Sequence, residues 1–417
     1  MLFSARILQS TRKQLISSRI QGDMILVRLS NRLKQAVQGE ARYSLSYFLM
    51  LIVISLACIA MPKCNFDGVF YSALASGSND PLVLQGAGAE FLSHQSDRSE
   101  LNASPYENDM MINADHFKQQ LPFYSVKPLY VLLLRVLHIC GAGWRSGAII
   151  SAICYFLLGV VVHRWLGAHY ANLSVSLYAA SLMLSPTLLQ IVRWTSPDLV
   201  SILISVTAIW CILELRKPLS AAVLLLAGIW VRPETVVFCS FVFLAILLSR
   251  MMAASWVCCL ETMAATSYVL ISHCAYPVRV LFYVSIVNRS FTPSQVHFAL
   301  TPQVRLHYLT KSVQELVLMN PFLSVPVLLV AVIFITRKKR NPISVMIATA
   351  SLVSFAIAYA VLPHFEARYY ISLLVFIPVL IFLCCGDPSD SSLMLSEQEM
   401  ELSPTCLLGE NQECISH

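Results

Sequence analysis

Residues 45–71 read LSYFLMLIVISLACIAMPKCNFDGVFY. The part from 45 to 61 is an apolar run close to the length of about 20 residues that crosses a bilayer as helix. Polarity then changes abruptly, through Lys63 and Asn65 to Asp67. A carboxylate at that point stands at the boundary between lipid and water, and a long polar segment follows it. Further apolar runs fill the rest of the chain. The order of run, boundary carboxylate, polar segment and more runs predicts an all-α polytopic membrane protein with Asp67 at its first outer boundary.

Composition agrees. Of 417 residues, 57% are hydrophobic and 12% charged, about half the charged share of a soluble domain. The short alternating segments of a spanning β-barrel are missing. The net charge of +6 is no sign of a nucleic-acid partner, because the cations cluster at the ends of apolar runs, where membrane topology uses them. The cysteines mostly sit inside those runs, for example Cys58, Cys154, Cys211 and Cys239, and behave there as small hydrophobes. No Cys/His spacing of a metal site occurs, so the expected metal set is none.

Apolar runs lie at about 45–61, 147–166, 172–191, 198–214, 219–231, 234–249, 255–275, 315–336, 343–362 and 370–386, which predicts about ten transmembrane helices. Pro128–Cys140 is apolar but short and reads as an interfacial or partly inserted helix. Three regions follow: a basic N-terminal segment over 1–44, a membrane domain over 45–386, and an acidic, Ser-rich tail over 387–417 expected to be disordered. With the basic N-terminus placed in the cytoplasm, the cytoplasmic ends carry Arg164, Arg216, Lys217, Arg250 and Arg337–Arg340, as the positive-inside rule requires. Residues 62–146, Arg193–Asp198, Arg232–Glu234, 276–314 and Pro363–Arg368 then fall outside. Loops and short, partly mobile helices are expected over 76–120.

Five groups on that outer face carry chemistry-bearing residues. Asp67 is the boundary carboxylate, with Asp67-Gly68 as a plain turn being the simpler reading. Lys127 precedes Pro128 and Tyr130 at a helix start, where the dipole disfavours a cation. In Arg193-Trp194-Thr195-Ser196-Pro197-Asp198, a helix start explains Ser196, Pro197 and Asp198 and leaves Arg193 and Trp194 to serve as an interfacial anchor or a ligand contact. Arg232-Pro233-Glu234 puts two charges between apolar runs, where they face protein or water or satisfy each other. His364, Glu366, Arg368 and Tyr369 gather before the last run.

These residues together resemble the C-type integral-membrane glycosyltransferases, which use a lipid-phosphosugar donor. The likeness rests on Asn65-Phe66-Asp67-Gly68 with Tyr71, on Lys127 to Tyr130, on Ser196 to Asp198, on Arg232 to Glu234 and on His364 to Tyr369. It spans roughly 45–386 through short, degenerate motifs. It implies two short interfacial helices in the first outer loop and an inverting transfer of a hexosyl or pentosyl group from a polyprenyl-phosphate sugar. The acceptor would be a glycan, lipid or protein on the outer, periplasmic or lumenal, side. Asp67 would be the general base, with Lys127, Arg232 and Arg368 at the donor phosphate. Tyr71, Tyr130, Arg193, Glu234, His364, Glu366 and Tyr369 would be substrate-binding candidates. No cofactor is implied, and the missing paired acidic dipeptide leaves a divalent metal open. The membrane would be a bacterial inner membrane, with the endoplasmic reticulum as the alternative.

The rival class is a transporter or flippase of a lipid-linked saccharide, which needs polar residues along a path across the bilayer. The runs are almost wholly apolar, with Glu214 and Glu261 as exceptions, and this favours the enzyme. A membrane acyltransferase would want a catalytic His in an apolar setting, for which His138 and His273 are available. The topology is testable by cysteine accessibility. In a cysteine-free background, thiols placed at positions 80 and 300 are expected to label from one side and at 338 from the other. Labelling of 80 and 338 from the same side overturns the assignment.

Overall fold

Where lipid offers the backbone no hydrogen-bond partner, a chain must bond within itself, and every element among the described residues is helical. The computed structural model describes residues 42–63, 65–94, 105–168, 172–273, 275–287, 292–319 and 342–361. The N-terminal segment before 42, the acidic tail, the expected run at 370–386 and most of that at 315–336 lie outside these.

Helix α1 (Arg42–Ala60) leads to the polar segment. Its described residues are mostly short helices. It folds as α2 (Phe66–Ala75), α3 (Pro81–Ser93), α4 (Pro105–Ile112), α5 (Ala114–Gln120) and α6 (Pro122–Ser125). Asp80 caps α3 by accepting from the Leu82 N–H at 2.9 Å, and Asn113 caps α5 through the Asp115 and His116 N–H groups. The apolar residues hidden among its polar ones, Val69, Phe70, Leu84, Phe91, Met110 and Phe117, close a small core of their own. Stacking of Phe70 on Phe117 and Tyr124, at 4.8 and 4.5 Å between centroids, holds it together.

Helix α7 (Pro128–Leu137) buries Tyr130, Val131 and Leu134 and leaves Leu132, Val136 and the following Ile139 open. It bends through two short turns, with Gly141 and Gly143 at φ 89° and 55°, into α8 (Ser146–Gly167). The expected run at 172–191 divides in two, α9 (Asn172–Met183) and α10 (Pro186–Val192). Pro186 has no N–H to continue a helix and drives Ser185 into an extended ψ of 135°. Then come α11 (Asp198–Leu213), α12 (Pro218–Val231), α13 (Thr235–Leu248), α14 (Ala254–Ser272), α15 (Val278–Phe282), α16 (Pro302–Met319) and α17 (Pro342–Val361).

Three described helical stretches are long and apolar enough to cross a membrane: Arg42–Ala60, Pro128–Gly167 and Ala254–Ser272. Helices α11, α12 and α13 have 16, 14 and 14 residues, and so span only about 21–24 Å at 1.5 Å per residue. The runs expected there are apolar helices of less than spanning length, because Pro197, Pro218 and Pro233 punctuate them.

The consecutive hairpins α11–α12–α13 put Asp198 and Arg232–Glu234 at one end and the turns at 214–217 and 249–253 at the other. Both of the latter turns carry an arginine in the left-handed region, Arg216 at φ 54° and Arg250 at φ 53°. Each closes its helix by a backbone bond, Lys217 N–H to Cys211 O at 2.8 Å and Met251 N–H to Ile246 O at 3.1 Å. At the first end the two polar segments meet. Tyr276 donates to Gln119 O and Ser294 to Gln119 Oε1, each at 3.0 Å, and Phe123 packs on Tyr276.

Glycines set the closest approaches. A Cβ on Gly159 of α8 would collide with Leu51 of α1, one on Gly147 with Thr195, and one on Gly88 of α3 would lie 2.8 Å from Val69 Cγ1. Gly159→Leu is therefore expected to destabilise the protein by about 1–3 kcal/mol. Gly86→Ala, where a Cβ meets nothing within 4 Å, should stabilise by up to about 1 kcal/mol. Thermal unfolding of both in one detergent checks this, and a wild-type midpoint for Gly159→Leu would contradict the packing.

Candidate functional site

The first polar residues after α1 are held by backbone groups far along the chain. The Asn65 amide donates to Thr195 O and accepts from Thr195 N–H, both at 3.3 Å. Ser151 of α8 donates to Trp194 O at 2.9 Å, and Lys63 N–H to Arg193 O at 2.9 Å. The segment 193–198 is thereby threaded between the start of α2 and the start of α8, and carries Asp198 with it. Arg193 takes part in this clasp: its Nε donates to Met61 O at 3.2 Å, while the residue stays exposed.

Asp67-Gly68 is not a turn. It opens α2, so the carboxylate sits in the first turn of a helix, where the dipole favours an anion. Gly68 is required there because a Cβ would lie 2.5 Å from Phe91 Cζ. Asp67 is half-buried and accepts from the Tyr124 hydroxyl at 3.2 Å. One helical turn on, Tyr71 points the same way. It is fully buried and accepts from Lys127 Nζ at 2.8 Å. Burial first, then the charge of Asp67, holds its hydroxyl well above the usual phenol range, so it stays a neutral acceptor. Lys127 lies 5.4 and 5.6 Å over the Tyr71 and Tyr124 rings, within cation–π range. Tyr71 is thus a support for Lys127, not a surface for substrate. Tyr130 packs edge-on against Tyr71 at 4.9 Å, is fully buried, and leaves its hydroxyl without a hydrogen-bond partner.

The second half of the site corrects the simple helix-start reading of Asp198. Ser196 does not cap α11; its hydroxyl is buried and makes no hydrogen bond. Asp198 opens the helix with 2% of its side chain exposed and takes an ion pair from Arg232 Nη1 at 2.5 Å. Arg232, 8% exposed, ends α12 in an extended conformation and gives its Nε to Glu234 Oε1 at 2.8 Å. The mutual Arg232–Glu234 pair foreseen from sequence is real, but Asp198 makes it a triad. Arg232 is therefore committed to two carboxylates.

Lys127 joins the halves. Burial lowers its pKa from 10.5; Glu234 raises it most among its charged neighbours, Arg232 opposes, and Asp67 and Asp198 add support. All five charged groups thus share one electrostatic neighbourhood, three carboxylates against two cations. Glu234 is enclosed enough that burial is the largest influence on its carboxyl, and it pushes upward. Arg232 and Lys127 outweigh it and leave the pKa below 4.5. Yet 47% of the Glu234 side chain is open. Glu234 is thus the solvent-facing carboxylate of the triad.

His364, Glu366, Arg368 and Tyr369 lie outside the described residues. Asn65, Tyr124 and Asp198 were not candidate site residues from sequence, although Asn65 and Asp198 belong to stretches singled out there. Among the described residues no three of His, Cys, Asp and Glu converge as a metal site would require. No family model matches this chain, and neither does any curated protein or solved structure. The functional reading rests on the site.

The two shifted groups give stability opposite pH limbs. The folded pKa of Lys127 lies below its unfolded value, so the unfolded chain holds that proton more tightly. Stability should rise with pH between the folded value and 10.5. The folded pKa of Glu234 is also lowered, so its contribution is present above 4.5 and lost as pH falls through the folded value. Lys127→Met is expected to flatten the alkaline limb of an unfolding-versus-pH curve, and Glu234→Gln the acid limb. Parallel wild-type and Lys127→Met curves up to pH 10.5 would contradict the lowered pKa of this lysine.

Proposed function

We propose that this protein is a membrane glycosyltransferase that moves a hexosyl or pentosyl group from a polyprenyl-phosphate donor to an acceptor hydroxyl, with inversion. The observation that carries the reading is the pairing of Asp67 and Lys127 across the Tyr71–Tyr124 wall, beside the solvent-facing Glu234. One half-buried carboxylate and one enclosed ammonium at the end of an apolar helical bundle match the two demands of the reaction. An acceptor O–H needs a base, and a leaving phosphate needs a cation for its developing charge.

In this reading Asp67 takes the acceptor proton while the acceptor oxygen attacks the anomeric carbon. The bond from that carbon to the phosphate oxygen breaks, and the lipid phosphate departs with its electron pair toward Lys127. The attack comes from the side opposite the phosphate, which inverts the centre. Arg232 serves behind Lys127, as the holder of Glu234, and no longer as an equal phosphate ligand. The fuller picture is a helical membrane domain with the site on its outer face, in a bacterial inner membrane or alternatively the endoplasmic reticulum, and a glycan, lipid or protein as acceptor.

A transporter or flippase draws on one observation. Asp198, Ser201 and Ser205 recur at helical spacing on α11 and are all buried, the beginning of a polar row. The row ends there, with Ile209 and Ile212 buried below it, which favours the enzyme.

Undecaprenyl phosphate titrated into the purified protein, read by tryptophan fluorescence, is expected to bind. Lys127→Gln should weaken it at least about tenfold through loss of a charge-assisted bond. Asp67→Asn keeps size and folding, should bind the lipid as wild type does, and should lose transfer by at least about a hundredfold. Near-normal turnover by Asp67→Asn would remove the base assignment. Lipid affinity unchanged in Lys127→Gln would remove the phosphate assignment.

A further inference from the structure

Arg232 divides its guanidinium between two carboxylates of opposite character. Asp198 is 2% exposed, and Glu234 is 47% open. Asp198 cannot reach a ligand. Its fixed place in the first turn of α11 makes it an anchor, and the guanidinium it holds is planar, with donors in a rigid fork. The fork's Nε therefore fixes where Glu234 Oε1 must lie. The backbone adds to this: Thr235 donates its hydroxyl to Arg232 O at 2.7 Å and its N–H to the same oxygen at 3.0 Å. Arg232 occupies one carboxylate oxygen of Glu234, and the remainder of the group faces solvent.

We propose that Asp198 and Arg232 are positioning residues that hold Glu234 so that its open oxygen reads hydroxyl groups of an uncharged sugar on the lipid phosphate. This rests on the glycosyltransferase reading and deepens it by naming the class of sugar. A carboxylate accepts hydrogen bonds and has none to give. It takes the hydroxyls of a neutral sugar and turns away a uronic acid, whose own carboxylate it would repel. The site then has two zones, an ammonium under the Tyr71–Tyr124 wall for the phosphate and a clamped carboxylate for the sugar. Lys127 lies within electrostatic reach of Glu234, as a phosphate and the sugar attached to it require.

The test compares four lipids on the purified protein: undecaprenyl phosphate alone, and the same lipid carrying glucose, mannose or glucuronate. In the wild type at least one neutral sugar is expected to tighten binding about tenfold over the bare lipid, and glucuronate is expected to weaken it. Glu234→Gln should erase the ratio between neutral-sugar lipid and bare lipid, whatever bare-lipid affinity it keeps. Asp198→Asn should erase most of it, and the double variant should lose no more than Glu234→Gln alone, since both act through one group. Arg232→Lys keeps the charge without the fork and serves as the check should Asp198→Asn fail to fold; it too should lose the gain. Additive losses, an equal fall in bare-lipid affinity, or glucuronate bound as tightly as glucose each overturn the proposal. Failure of the bare lipid to bind the wild type would instead overturn the underlying reading at Lys127.

Discussion

A guanidinium taken out of water must be neutralised where it stands, and Arg232 is neutralised by one residue from each neighbouring helix start. Asp198 opens α11 and Glu234 immediately precedes α13, while Arg232 itself closes α12. Three helix ends are thereby fixed at one point. Removing a single partner of such a group leaves an uncompensated charge, at a cost of about 3–5 kcal/mol. The turn Arg232-Pro233-Glu234 is almost without slack, so this requirement also sets where α12 and α13 part.

The first polar segment is joined to that point through Asn65. Its side chain supplies both hydrogen bonds that the Thr195 backbone needs, and Thr195 lies against Gly147, where no larger residue fits. The clasp brings the start of α2 alongside the start of α11. Asp67 and Asp198, 131 positions apart in sequence, thus come to bear on the same lysine. Carboxylates from three separate stretches offset part of what burial costs the Lys127 charge, and no local sequence could have supplied them.

Much of the helical architecture was legible because lipid gives the backbone a single solution, and apolar runs report it directly. The departures have local causes. Pro186 splits a run that hydropathy alone joins, and Pro197, Pro218 and Pro233 shorten three others. The polar segment after α1 looked loop-like because Leu84, Phe91, Met110 and Phe117 are diluted among polar residues; they pack only once two short helices cross at Gly88. In the site, Asp67, Lys127 and the Arg232–Glu234 pair could be picked out because each stands against an apolar background. Asp198 was hidden by sufficiency. A helix start already accounted for it, and only the tertiary fold reveals that it faces an arginine. Tyr124 and Asn65 had no such contrast with their surroundings.

The two arginines in left-handed turns at the far end have a different kind of consequence. Glycine fits such a backbone without strain, and an L side chain there costs roughly 1–2 kcal/mol. Arg216 and Arg250 each carry that strain. Glycine at either turn would relieve it in the folded chain. The backbone geometry of these two turns therefore does not select arginine, and whatever holds it there acts through the side chain's charge or reach.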